Sequence, residues 1–75
     1  MKNDANNFAK RTATQVKSIL KSNNIDFDSV INDGDGNQFT IRIENTIKNK
    51  AKLDFIGFIL LPKWHSKNKL VVKCF

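Results

Sequence analysis

The chain changes its apolar period once. From residue 4 to residue 22, Ala5, Phe8, Ala9, Thr12, Ala13, Val16, Ile19 and Leu20 fall on one stripe of a 3.6-residue period, which predicts an amphipathic helix. Asp4 stands where a capping carboxylate accepts from the first free N–H groups. Asn23-Asn24 stands where a left-handed residue ends a helix. The outer face carries Lys10, Thr14, Lys17 and Lys21 and reads as solvated.

Beyond residue 24 the period is two. Ile25, Phe27 and Ile31 alternate with aspartates, although Val30-Ile31 interrupts the pattern. Phe39, Ile41 and Ile43 alternate cleanly with Thr40, Arg42 and Glu44, as a half-buried strand does. A third run, Lys52 to Leu61, begins with alternation and turns apolar on both faces, and Pro62 closes it because proline cannot donate to a ladder. A fourth, Lys69 to Phe75, places Leu70, Val72 and Cys74 on one face and Val71, Lys73 and Phe75 on the other. Short connections favour pairing of sequential neighbours. The predicted fold is α+β: a single domain over residues 1–75, with one N-terminal helix packed on a four-stranded antiparallel meander (αββββ).

One helix covers one sheet face. The second apolar set of the third run, Ile56, Phe58 and Leu60, is therefore expected on the open face, joined by Val71 and Phe75. Contiguous exposed apolar surface marks an interface. The last strand, VVKCF, is expected as an unprotected edge able to pair with a partner strand or a second copy of the chain.

Charge sharpens this picture. Residues 1–47 hold six basic and six acidic side chains, whereas residues 48–75 hold seven lysines and one acid, Asp54, so the whole net charge of +6 lies in the last part of the chain. Such a bias suits an anionic partner. The eleven lysines stand against only two arginines, and ten asparagines and eight isoleucines accompany them. That points to an AT-rich coding bias, and it weakens the case for nucleic acid, whose recognition favours Arg. In a meander the cluster Lys48, Lys50 and Lys52 falls at the opposite end of the sheet from PKWHSKNK, giving two basic poles. Within PKWHSKNK, Trp64 and His65 are flanked by Lys63, Lys67 and Lys69. A stacking plane beside backbone-tracking charges suits single-stranded nucleic acid, and an exposed Trp equally suits a protein hot spot.

Catalytic chemistry finds little footing. His65 is the one candidate base near neutral pH, and Cys74, alone and in a strand, reads as a small core residue. One Cys and one His make neither a disulfide nor a structural zinc site. The segment NDGDGN, Asn32 to Asn37, has aspartates at calcium-loop spacing, with Glu44 at the twelfth position from Asp33. Gln38 stands where such a loop needs glycine, so the segment reads as a hairpin turn built from Asp-Gly pairs, expected beside Lys63, Lys67 and Lys69. No cofactor is implied. Phe55 to Leu61 is too short to cross a bilayer and no signal-like N-terminus precedes the domain, so the reading is cytoplasmic, without a membrane partner.

The expectation is a non-catalytic protein-binding module with contact residues Ile56, Phe58, Leu60, Lys63, Trp64, His65, Lys67, Lys69, Val71, Lys73 and Phe75. A small inhibitor of a host nucleoprotein enzyme, of the anti-CRISPR type that phages and mobile elements carry, would use both the apolar and the basic signals. The alternative is a nucleic-acid-binding protein using Lys63, Trp64, Lys67, Lys69 and Lys73.

Overall fold

The computed structural model describes residues 12–32 and 37–74. Helix α1 spans Ala13–Ser22, strand β1 Ser29–Asn32, strand β2 Gln38–Arg42, helix α2 Ile47–Phe55, strand β3 Ile59–Leu60 and strand β4 Lys69–Lys73, with a 3-10 turn over Pro62–Trp64. The α+β class, the leading helix and the four-stranded antiparallel sheet stand as expected. Helix α2 and the strand order do not follow the expected pattern.

Helix α1 begins later than its stripe suggests. Thr12 is extended (φ −102°, ψ 162°), and a capping box forms around it: Gln15 N donates to Thr12 Oγ1 (3.1 Å) while Thr12 N donates to Gln15 Oε1 (2.8 Å). The Asp4 cap, with Ala5, Phe8 and Ala9, lies outside the described residues. At the other end Asn24 takes φ 58°, Asn24 N donates to Lys21 O and Ile25 N to Leu20 O, which is a Schellman motif closed by two buried apolar side chains. The Asn23-Asn24 stop is therefore borne out.

A turn holding Lys48, Lys50 and Lys52 and then a strand from Lys52 were expected, and Ile47–Phe55 is a helix instead. Asn49 N donates to Thr46 Oγ1 (3.0 Å), so Thr46 caps it. Gly57 ends it at φ +100°, with Gly57 N donating to Asp54 O and Phe58 N to Leu53 O, a second Schellman motif closed by Leu53 and Phe58. Lysine, alanine and leucine fill the helix, and the β-branched Ile47 stands only at its start. The strand character of the third run survives in the two residues of β3.

The sheet order is β1-β2-β4-β3, every pair antiparallel. Because α2 carries the chain across, β4 inserts between β2 and β3 and is central, not an edge. Its outer side is covered along its length: Ile59 and Leu60 pair with Lys73 and Val72, Leu61 N donates to Val71 O (2.9 Å), and Ser66 bridges to Lys69. The free edges are β1 and the very short β3, the length that limits unwanted strand pairing.

Register separates the two faces, because residues paired across strands point the same way. One face carries Val30, Ile41 and Leu70 in one row and Phe39, Val72 and Leu60 in the next. These belong to one core with Val16 and Leu20 of α1, Leu53 of α2, and Ile25, Ile43, Phe58 and Cys74. Phe39, Ile41, Leu70 and Val72 face inward as their alternation predicts. In β1 the inward residue is Val30, and Ile31 points out at 52% exposure, because the chain bends at Asp28 and reverses the expected parity.

The left-handed backbone at Gly57 gives a direct test. Gly57→Ala is expected to lower unfolding free energy by about 1–2 kcal/mol, the cost of a Cβ in that region, while Asn24→Gly changes it little. Urea denaturation of both variants measures the contrast.

Candidate functional site: the second sheet face

Among the described residues no helix packs on the second sheet face, and Val71 at its centre is 2% exposed. Its rows are Ser29, Arg42 and Lys69; then Ile31, Thr40 and Val71; then Gln38, Lys73 and Ile59. Arg42 and Lys73 are exposed, and Lys69 is half-buried. The face thus carries three cations, and no strand residue on it is acidic.

Two of those cations are direct cross-strand partners. Arg42 pairs with Lys69 across β2 and β4. Side chains at such positions have Cβ atoms roughly 4.5–5.5 Å apart, and like charges there oppose pairing. Lys73 continues the row four residues along β4, roughly 13 Å by strand rise. The segment after β3 borders the face. His65 Nε2 donates to the Val71 carbonyl (3.1 Å), which fixes the half-buried imidazole as a structural strut. Trp64 remains 52% exposed, with Lys63 Nζ 5.5 Å from its ring centroid.

The expected contact residues divide accordingly. Lys69 and Lys73 lie on the second face, while Lys63, Trp64 and the exposed Lys67 lie on the 62–68 segment. Phe58 and Val71 are buried, at 5% and 2% exposure, and Ile56 and Leu60 are half-buried against the core. The expected open apolar face therefore does not exist, because α2 and the β4 insertion bring those side chains inward or under neighbouring chain. Phe75 lies outside the described residues. Arg42 was missed, although its alternation with Ile41 and Ile43 already placed it outward. What the sequence concealed was its partner, Lys69.

The two basic segments were expected at opposite ends of the sheet, but they do not start from opposite ends. Asn45 N donates to Lys67 O (2.9 Å), Asn45 Nδ2 to Ser66 O (3.0 Å) and Ile43 N to Asn68 O (3.2 Å), which ties the start of α2 to the turn before β4. Asn32 and Asn37, which flank the expected turn, are at the other end: Asn32 pairs with Phe39, Gln38 pairs with Lys73, and Cys74 N donates to Asn37 O (2.9 Å). They are therefore remote from Lys67 and Lys69, contrary to expectation. Asp33 and Asp35, with their calcium-like spacing, lie outside the described residues.

A cleft of about 640 Å³ opens between the α1–β1 connection and α2. Its lining balances Arg42, Lys48 and Lys52 against Asp26, Asp28 and Glu44, so it has no net preference for an anion. Among the described residues no group of three His, Cys, Asp or Glu side chains is arranged to hold a metal ion, and no helix is long and apolar enough to cross a membrane. Comparison with known proteins finds no matching family model, no matching curated protein and no matching solved structure.

The Arg42–Lys69 repulsion is measurable in the free protein. Lys69→Glu is expected to stabilise it by about 0.2–1 kcal/mol, an effect that shrinks in high salt. Lys69→Gln, which only removes the charge, should fall between the two in urea titrations.

Proposed function

We propose that this protein is a non-catalytic module that binds single-stranded nucleic acid through the cations of its second sheet face. The observation that carries the reading is the Arg42–Lys69 cross-strand pair, continued by Lys73; no strand residue of the face is acidic, and the acids near Arg42 are those of the neighbouring cleft, Asp26, Asp28 and Glu44. A phosphate seated between two like charges converts their repulsion into two attractions. A phosphate backbone running along β4 meets the next cation at Lys73. Ser29, Thr40 and Gln38 add polar groups to the face, and the exposed indole of Trp64 offers a plane for a base, with the ammonium of Lys63 beside it. Single strands suit this surface better than duplex, since a flat sheet presents no helix or ribbon for a major groove.

A second reading draws on a different observation. Helix α2 leaves Ile47 and Phe55 bare at 83% and 88% exposure. An inhibitor of a nucleoprotein enzyme would combine a protein contact of that kind with the cationic sheet face. The expected edge-strand contact no longer supports such a reading, because β4 is internal.

The test is a titration of a labelled oligothymidine between about 50 and 200 mM salt. Three phosphate contacts give a slope of log affinity against log salt of about −2, or roughly a 16-fold loss over that range. Lys69→Gln is expected to weaken binding and reduce the slope by about 0.7. Trp64→Ala should cost about 1–3 kcal/mol of binding if a base stacks on it. No binding at the lower salt, or a slope unchanged by Lys69→Gln, would rule the sheet face out.

A further inference from the structure

Helix α2 is amphipathic in an unusual sense: it has two apolar sides. Its inner side is Leu53, fully buried in the core. Its outer side is Ile47, Ala51 and Phe55, at i, i+4 and i+8, all exposed. At 100° per residue Leu53 lies roughly 200° around the helix from Ala51, so the outer stripe points away from the sheet. Singly exposed apolar residues need no explanation, but three aligned on one helix face, two of them large, form a patch. The patch is not flat. Beside it Asn23, Ala51, Lys52, Phe55 and Ile56 line a hollow of about 410 Å³, between the end of α1 and the last turn of α2.

Charge selects the occupant. Lys48 and Lys52 follow one flank of the stripe, and Lys50 and Asp54 follow the other, so three cations less one anion leave +2 around the patch. A second copy docking by the same stripe would bring lysines against lysines. A bilayer surface would meet the lysines favourably and leave the hollow unfilled. A peptide with one large apolar residue for the hollow and acidic neighbours for the lysines satisfies both features. We propose that the outer stripe of α2 and its hollow are a docking site for an acidic protein segment carrying a large apolar anchor. Lys48 and Lys52 also line the cleft that Arg42 borders, but Ile47, Ala51 and Phe55 do not, so the stripe and its hollow do not depend on the nucleic-acid reading.

The experiment is selection of a displayed random peptide library on the full chain, with individual peptides then titrated by fluorescence anisotropy. The expected enrichment is Leu, Phe, Met or Trp flanked by Asp or Glu. Binding of an enriched peptide should fall at least tenfold in Phe55→Asp and in Phe55→Ser, both at a side chain exposed enough to leave the fold intact. Lys48→Glu with Lys50→Glu should reverse the charge preference of the selected peptides. Peptides that bind Phe55→Asp as well as wild type, or selections without an acidic bias, overturn the proposal. So does a dimer in light scattering that Phe55→Asp dissociates, or sedimentation with phosphatidylglycerol vesicles lost in Phe55→Asp while no peptide is enriched.

Discussion

A four-stranded sheet has two faces, and the two helices of the described residues both pack on the same one. That one-sidedness governs the rest of the molecule. The covered face takes the large apolar residues of β2 and β4, Phe39, Ile41, Leu70 and Val72, and seals them under Val16, Leu20 and Leu53. At roughly 25 cal/mol per Å² of apolar area removed from water, this one layer supplies most of what opposes chain entropy. On the other face the outward strand positions are mainly polar. Val71 is its buried exception, beside the chain segment that follows β3.

The insertion of β4 is the second consequence. A helix leaving the end of β2 carries the chain over the covered face to the far edge, and the space between β2 and β3 is then the one place where the final run can complete two ladders at once. Its alternation of Leu70, Val72 and Cys74 is what a strand with one core face requires, and the Val71 carbonyl between them accepts from Leu61 N and His65 Nε2. A residue run judged alone reads equally well as an edge or a centre. Partners decide, and they lie thirty residues away: Thr40 pairs with Val71.

Legibility followed the range of the interaction. The Asn23-Asn24 stop, the inward set of β2 and the inward set of β4 were readable because each depends on neighbours in sequence. Helix α2 was not, because Leu53, Phe55 and the residues after Gly57 mimic alternation. Its true signals were a capping Thr46 and a stop at Gly57, and both are easily subordinated to an apolar run. Phe55 is the residue that misled most: as a strand residue it belongs inside with Leu53, and as a helix residue it lies outside. Of the site, Lys69 and Lys73 were named from sequence, but the pairing that gives Lys69 its meaning is long-range.

The seam between β2 and β4 also bears on how the chain can be divided. Residues 12–42 contain α1 and the β1–β2 hairpin, and residues 47–74 contain α2 and the β3–β4 pair, so each half resembles a helix with a hairpin. Neither is a unit. The inner faces of Phe39 and Ile41 are completed by Val72 and Leu70, and the backbone of β2 is left unpaired on one side without β4. Folding is therefore a joining of two halves that are each marginal, since a lone two-stranded ribbon is barely stable in water. The cooperativity of the molecule resides in that single seam, and the same seam sets the Arg42 and Lys69 cations face to face.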